Sequence, residues 1–403
     1  MTFMKKKKLM ILGASILQLP AIEKARSMGL DVVVVDYNPD AVGFKVEGIK
    51  KEVISTIDIP AVIEAAKRHK IDGIMTLATD LPMRSVAAVA KELGLIGISE
   101  DTALKATNKA VMRQALKEYG VPVPEFYRVS NRKKFEEVAE KFKAPFMVKP
   151  TDNSGSRGVV LVEDPTDRKA ALDAYYYSSR RSHSGVVVVE EYMKGPEVSV
   201  ETLTVDGEFH LIQITDKLTT GAPHFVELGH SQPTKLPPET VKRIYEVTKA
   251  ANEAIGITFG PSHTEIIVTD EGPKIVELGA RLGGDCITSH LVPLSTGVDM
   301  VECCIRIALG EKPDATPKFS RGAAIRYFHQ TPGVIKSFST CGAENMKGVT
   351  QVSFVKNIGD EVTDIDSSNA RIGFVIACDD SPDAAVADCE AALDTVKTVI
   401  EKE

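Results

Sequence analysis

Residues 263–277 read HTEIIVTDEGPKIVE, two apolar β-branched runs on either side of Asp270-Glu271-Gly272. This pattern predicts a β-hairpin with a three-residue loop and glycine in the left-handed position. In that register the pairs are Thr269–Pro273, Ile267–Ile275 and Glu265–Glu277. Cross-strand partners point to one face of the sheet, with Cβ atoms about 5 Å apart. Glu265 and Glu277 are therefore predicted to be neighbours, whereas a two- or four-residue loop would turn Glu277 to the other face.

Two carboxylates this close on apolar strands destabilise the sheet unless a cation lies between them. Hard oxygen ligands of this kind suit Mg²⁺ or Mn²⁺ that bridges phosphate groups, so Glu265 and Glu277 are candidate metal ligands. The alternative is a solvated glutamate on each strand. Arg281 follows Glu277 by four residues and precedes Gly283-Gly284. Its guanidinium could hold a carboxylate or a phosphoryl group, or it could be a surface arginine.

A polar glycine-containing loop follows the apolar strand that ends at Lys149, and residues 149–158 read KPTDNSGSRG. Glycine and serine let backbone N–H groups converge on phosphate oxygens, and the lysine adds positive charge. No Gly-Lys-Ser/Thr opens a helix here, which excludes a P-loop. An ordinary hairpin loop is the competing interpretation.

A second strand runs into a short linker at residues 189–197, VEEYMKGPE. The linker backbone could bond the edge of an adenine, and Glu197 could accept hydrogen bonds from ribose hydroxyls. Solvated acids at a strand end would give the same pattern. The segment therefore indicates a nucleotide cleft only together with the other motifs.

Residues 1–120 alternate apolar strands with amphipathic helices, which predicts a doubly wound parallel α/β sheet. One strand ends in Asp36, as in dinucleotide-binding folds, but only Gly13 follows the first strand. The closely spaced glycines that a pyrophosphate needs are missing, which disfavours NAD and an oxidoreductase. Residues 99–119 are predicted to be helical with Lys109 inside, and residues 383–401 are predicted to form a closing helix.

Bulk composition excludes several classes of protein. The 403 residues carry a net charge of −7, which gives no electrostatic reason to expect nucleic acid or an anionic membrane as partner. No apolar run approaches the roughly 20 residues of a membrane span. The six cysteines show neither paired metal spacing nor disulfide density, so we expect reduced thiols and a cytoplasmic location.

Taken together and in this order, the motifs resemble the ATP-grasp superfamily over nearly the whole chain. The resemblance implies an N-terminal α/β domain at 1–120 and a two-subdomain ATP-binding grasp at 121–320. It further implies a mobile lid at about 145–187 and a C-terminal α+β domain at 321–403. The resemblance leaves open whether the protein forms a homodimer.

The resemblance also assigns roles to individual residues. Lys109 and Lys149 match the lysines that hold ATP phosphates, and Arg281 matches the arginine beside the transferred phosphoryl group. The remaining matches are the phosphate-covering loop (Ser154, Gly155, Ser156, Gly158), the adenine hinge (Glu190, Glu191, Tyr192, Met193), the ribose acid (Glu197) and the metal pair (Glu265, Glu277). The family often has an asparagine as a further metal ligand where this chain has Gly279.

Residues 221–233 (GAPHFVELGHSQP) and 323–328 (AAIRYF) look most like the amino-acid ligases. The implied activity is an ATP- and Mg²⁺- or Mn²⁺-dependent joining of a carboxylate to an amine through an acyl phosphate. Residues 281–285 and 368–377 are also similar to phosphoribosylglycinamide synthetase and biotin carboxylase, which keeps those reactions open, and an ATP-binding regulatory protein is the non-enzymatic alternative. Candidate general bases are His224, His230 and His263.

Overall fold

The computed structural model describes residues 6–402, and its N-terminal part is a parallel sheet covered by helices on both faces. The sheet has the order β3-β2-β1-β4. Its elements are β1 Lys8–Leu12, α1 Leu19–Ser27, β2 Asp31–Asp36, β3 Lys50–Val53, α2 Ile59–His69, β4 Gly73–Thr76 and α3 Met83–Leu93. Leu9 and Ile11 share a core with α1, whereas Met10 and Leu12 share a second core with α2 and α3. The predicted doubly wound architecture is confirmed.

Two helices, α4 (Glu100–Thr107) and α5 (Lys109–Glu118), occupy the segment that was predicted as one helix. Asn108 separates them in an extended conformation, and its side chain accepts hydrogen bonds from the N–H groups of Ala110 and Val111. The residue that caps the start of a helix has a non-helical backbone conformation, so the preceding helix ends before Asn108. Lys109 is therefore the first residue of α5 and not an interior helical residue.

A small four-stranded antiparallel sheet forms a separate layer with its own hydrophobic core. Its elements are β5 Phe126–Val129, α6 Arg132–Ala139, β6 Phe146–Pro150, β7 Val160–Val162, α7 Arg168–Ser179 and β8 Val187–Glu191, with strand order β5-β8-β6-β7. Phe135 and Tyr175 stack at 4.9 Å between ring centroids in this core. This unit spans 126–191 and is wider than the predicted lid at 145–187, whose mobility stays a prediction.

An eight-stranded antiparallel sheet joins the middle of the chain to its C-terminal part. The remaining elements are β9 Glu197–Val205, β10 Glu208–Thr219, β11 Glu227–Gln232, α8 Pro238–Ile255, β12 Gly260–Thr269, β13 Gly272–Gly279, α9 Val292–Thr296, α10 Met300–Ala308, β14 Gly322–Tyr327, β15 Gly333–Ser339, β16 Val349–Phe354, β17 Glu361–Val362, β18 Gly373–Asp379, α11 Pro382–Thr395 and β19 Lys397–Glu401. The sheet order is β13-β12-β9-β10-β11-β14-β18-β16. Because β11 pairs with β14, the sheet continues across the proposed domain boundary at 320.

The chain closes on a strand and not on the end of a helix, which corrects the prediction for residues 383–401. Helix α11 ends at Thr395, and β19 pairs with β15 in a three-stranded sheet of order β17-β15-β19. The β-branched residues Val399 and Ile400 favour this extended form. Within residues 6–402, no helix is both long enough and apolar enough to cross a membrane.

Candidate active site

The predicted site residues surround one cavity of about 610 Å³. Its walls are the carboxyl edge of the N-terminal sheet, the loop after β6, strands β9–β13 and the turn at Ser368. The predicted residues that line it are Lys109, Lys149, Ser154, Gly155, Ser156, Glu190, Glu191, Tyr192, Met193, Glu197, Glu265, Glu277 and Arg281. Of the residues predicted to bind ATP or metal or to stabilise the transferred phosphoryl group, Gly158 alone lies outside this lining.

The β12–β13 hairpin places Glu265 opposite Glu277, although its loop differs from the predicted one. Thr269 pairs with Gly272, so the loop has two residues and not three. That register alone would turn Glu277 to the other face, but a β-bulge at Val276 restores it. The pairing of the two carboxylates follows from the turn and the bulge together.

Two lysines neutralise the two carboxylates. Lys109 Nζ lies 2.8 Å from Glu277 Oε1, and Lys217 Nζ lies 3.0 Å from Glu265 Oε1. Lys217 also contacts Glu197 at 2.5 Å and Glu227 at 3.6 Å. Burial opposes its charge, but these carboxylates outweigh burial and raise the pKa of Lys217 well above its usual value. Lys217 was not predicted from the sequence.

The donors at this place suit a divalent metal ion that arrives with phosphate groups. Within residues 6–402, no three His, Cys, Asp or Glu side chains converge into a ready-made metal site. Glu265 and Glu277 could supply two hard oxygens, and the other ligands would come from phosphate or water. The charged pair is therefore compatible with Mg²⁺ or Mn²⁺ bound together with a nucleotide.

Glu190 lies in a buried ion network and does not present its side chain to a nucleotide. Its carboxylate contacts Lys149 Nζ at 2.5 Å and Arg113 Nη2 at 3.0 Å. Burial raises the pKa of this carboxyl, but Arg113 and Lys149 outweigh it and lower the pKa to about 2. Glu190 is therefore the counter-ion that positions Lys149, and any contribution to an adenine hinge would have to come from its backbone.

The next three residues and the glycine loop border the cavity from the small sheet. The Glu191 carboxylate accepts from the Glu125 N–H at 3.2 Å, and the ring centroids of Tyr192 and Phe225 lie 6.1 Å apart. In the loop, Gly155 and Ser156 have φ of +63° and +56°. Left-handed residues of this kind occur where backbone N–H groups turn toward an anion. The loop is compatible with its predicted phosphate contacts.

Arg281 forms a two-point ion pair with Asp80 from the loop after β4. Its Nε lies 2.8 Å from Asp80 Oδ1 and its Nη2 lies 3.3 Å from Asp80 Oδ2. Burial would raise the pKa of Asp80, but the charges of Arg281, Lys109 and His263 lower it. A Cβ at Gly279 would lie only 2.7 Å from Asp80 Oδ1. Gly279 therefore leaves room for the carboxylate that holds Arg281.

The three candidate bases have different surroundings. His224 is exposed and outside the cavity lining. His263 Nδ1 lies 2.6 Å from Glu201 Oε1. Burial lowers the pKa of His263, but Glu201 and Glu265 raise it to about 9. An imidazolium at neutral pH does not accept a proton, which argues against His263 as the base, and the position of His224 outside the cavity argues against His224. His230 remains, with Nε2 3.4 Å from Asp285 Oδ2.

The C-terminal part of the chain borders the cavity at Ser368 and Asn369 and holds the cavity residue Asp285 through Arg371. Its guanidinium binds Asp285 at 2.6 and 2.8 Å and lies 3.7 Å above the ring of Tyr327. Burial would raise the pKa of Asp285, but His230 and Arg371 keep it well below its usual range. This cluster was not predicted, because its central ion pair joins Asp285 and Arg371, which are 86 residues apart in the sequence.

Of the residues that were missed, Arg113 had a local signal. It lies on the buried face of α5 together with Met112 and Leu116. A charged residue at a core position of an amphipathic helix needs a buried partner. Lys217 and Asp80 carried no comparable signal, since the partners of Lys217 lie on other strands and the partner of Asp80 is 201 residues away.

Known protein families match the middle and the C-terminal part of the chain. Residues 142–289 match the family described as ATP-grasp domain, and residues 326–401 match L-amino acid ligase C-terminal domain 2. The L-arginine-specific L-amino acid ligase of Bacillus subtilis is 27% identical over 79% of this chain and 77% of its own length.

Two solved structures share the fold. The L-amino acid ligase of Bacillus licheniformis has a TM-score of 0.86 at 23% identity and covers 99% of this chain and 100% of its own. Phosphoribosylglycinamide synthetase of Anaerococcus prevotii has a TM-score of 0.79 at 20% identity and covers 98% and 100%. The predicted resemblance is confirmed: the chain contains an ATP-grasp domain at 142–289, followed by an L-amino acid ligase C-terminal domain at 326–401.

Proposed function

We propose that the protein uses ATP to activate the carboxylate of an amino acid as an acyl phosphate and then joins it to the amine of a second substrate. ADP and phosphate are the other products. The observation that carries the proposal is the convergence of Lys109, Lys149 and Arg281 with the Glu265–Glu277 pair in one cavity. The match of residues 326–401 to an L-amino acid ligase domain favours amino acids over the other substrates of related enzymes.

The residues divide the work of phosphoryl transfer, which is mostly positioning and electrostatics. Lys149, held by Glu190, and Lys109, held by Glu277, would bind phosphate oxygens. Glu265 and Glu277 would hold Mg²⁺ or Mn²⁺, which neutralises charge on the phosphates. Arg281 would stabilise the phosphoryl group in transfer, so no side-chain nucleophile is required.

The acyl phosphate must be kept from water until the amine attacks its carbonyl carbon. Ser154, Gly155 and Ser156 border the cavity, and we propose that their loop closes over it during this interval. The amine loses a proton as the amide bond forms and phosphate leaves. His230 lies in the cavity wall and is our candidate for the base that accepts this proton.

Phosphate release from ATP tests the proposal. Pooled amino acids should stimulate release, and mass spectrometry should detect a product joined by loss of water. Separate reactions with bicarbonate and with glycine plus phosphoribosylamine distinguish the related activities. Stimulation by either of these alone would replace the amino-acid assignment. ATP binding without turnover under every condition would indicate a regulatory protein.

A further inference from the structure

Lys217 is the centre of a buried group of carboxylates that come from three different strands. It lies on β10, between Glu197 of β9, Glu227 of β11 and Glu265 of β12. Its ammonium is 2.5 Å from Glu197, 3.0 Å from Glu265 and 3.6 Å from Glu227. Only 4% of its side chain is exposed, so water contributes little to balancing these charges.

Lys217 contacts all three of these carboxylates, whereas the imidazolium of His263 lies 3.6 Å from Glu265 and pairs with neither of the other two. Without the ammonium, three acidic side chains would face one point of the cavity wall. Hard oxygens of this kind bind divalent cations, and such binding strengthens with the number of charged ligands. With the ammonium in place, a free metal ion meets a nearby positive charge and finds Glu265 already paired. The repulsion between such charges is large where solvent is excluded.

We propose that Lys217 acts as an internal cation that keeps the acidic wall from binding divalent metal in the absence of nucleotide, so that metal enters together with ATP. The inference rests on the proposed function for the identity of the nucleotide. Lys217 is thus a positioning residue that acts through the carboxylates it holds in place, Glu197, Glu227 and Glu265.

Mn²⁺ binding to the nucleotide-free protein tests this role without any turnover. Free Mn²⁺ is measured by electron paramagnetic resonance during titration of wild type, Lys217→Met and Lys217→Arg. Lys217→Met should bind Mn²⁺ about tenfold or more tightly than wild type, because three carboxylates lose their buried counter-ion. Lys217→Arg keeps the charge and should resemble wild type. Lys312→Met, at an exposed lysine that pairs with Glu208, is the matched control and should change nothing.

If Lys217 had only a structural role, Lys217→Met should instead bind Mn²⁺ more weakly than wild type, because the acidic side chains would become disordered. Unchanged or weaker Mn²⁺ binding in folded Lys217→Met would overturn the proposal. The gain should disappear in Lys217→Met/Glu265→Gln, and its persistence would also contradict it.

If Lys217→Met does not fold, titration of the wild type can still overturn the proposal. Its Mn²⁺ affinity should rise at least about tenfold when a non-hydrolysable ATP analogue is added, because phosphate oxygens then complete the ligand set. Equal affinity with and without the analogue would overturn the proposal. Failure of the ligase assignment would instead appear as absent phosphate release and would leave the nucleotide-free titrations unaffected.

Discussion

Glu265 and Glu277 lie directly opposite each other on β12 and β13, yet each carboxylate is paired with a different lysine. Lys217 approaches Glu265 from β10, and Lys109 approaches Glu277 from the start of α5. The two like charges on facing positions are thereby balanced separately, each by its own lysine. We propose that a divalent cation that arrives with ATP takes both carboxylates as ligands.

Replacement of either glutamate by glutamine should lower ATP turnover by about 100-fold or more, because each change removes a charged oxygen near the transferring phosphate. Circular dichroism should show a retained fold. Glu271→Gln is the matched control, since Glu271 lies at the tip of the same hairpin with 78% of its side chain exposed. Near wild-type turnover in Glu265→Gln and Glu277→Gln would remove both residues from the metal site.

The sequence predicted the facing glutamates but not the path that brings them together. Alternating apolar residues indicated two strands, and Asp270-Glu271-Gly272 indicated a turn. The loop proved one residue shorter, and the bulge at Val276 compensated for it. Nothing in local turn chemistry specifies such a bulge. β12 pairs with β9 on its other side without a register shift, so the extra residue is accommodated in β13 at the edge of the sheet. Which strand lies at that edge is set by contacts between distant parts of the chain.

The same limit applies to the ion pairs that position the site. The motifs identified Lys149 and Arg281, because each follows an apolar strand and precedes glycines. Their partners Glu190 and Asp80 are 41 and 201 residues away, so only the fold shows which acid holds which cation. Asp80 was therefore missed, and Glu190 was assigned to the hinge by its place in a linker motif.

Arg281→Lys should lower kcat more than it raises the KM of the carboxylate substrate. Lysine cannot reproduce the two-point contact with Asp80, so the cation loses its fixed direction in the transition state. Steady-state kinetics with the substrate found by phosphate release measures the split. Arg168→Lys, at an exposed arginine, serves as the control. A rise in KM alone would mean that Arg281 binds the ground-state carboxylate, and unchanged kinetics would make it a bystander.

Gly279→Ala should reduce activity through Asp80 and not through loss of the fold. The added methyl would lie 2.7 Å from Asp80 Oδ1 and 3.1 Å from Arg281 Nε, so the ion pair must shift. We expect a decrease in kcat of about tenfold or more, as for other displaced transition-state contacts. Gly284→Ala is the matched control in the following turn, because its Cβ would meet only Ala78 at 3.5 Å. Equal kinetics of the two variants would contradict the role of Gly279.

ATP with Mg²⁺ should raise the melting temperature, whereas NAD⁺ should leave it unchanged. A ligand that binds the native state stabilises it by an amount that grows with its concentration. The turn after β1 offers little to a pyrophosphate, since the N–H groups of Gly13, Ala14 and Ser15 already donate to Val35, Asp36 and Gln18. Differential scanning fluorimetry makes the comparison. A shift with NAD⁺ alone would restore the oxidoreductase interpretation.

Glu190→Gln should destabilise the protein at neutral pH and by less in acid. Burial raises the pKa of Glu190, but Arg113 and Lys149 lower it to about 2 in the folded state, compared with 4.5 for an unperturbed glutamate. A folded-state pKa below the unfolded value stabilises the protein fully above about pH 4.5 and progressively less toward pH 2. Removal of one partner of a buried ion pair costs about 3–5 kcal/mol, because Arg113 keeps an uncompensated charge.

Urea unfolding of wild type and Glu190→Gln at pH 7 and at pH 3 measures both effects. The difference in unfolding free energy should be several kcal/mol at pH 7 and clearly smaller at pH 3, where the unfolded wild-type chain already binds the proton. Glu191→Gln supplies the control, because the carboxylate of Glu191 is next in the sequence but half-buried, and its distance to Lys274 Nζ is 3.5 Å. A difference that stays constant between the two pH values would show that the Glu190 charge does not contribute to stability. Lys149 would then need another residue to hold its ammonium in the cavity.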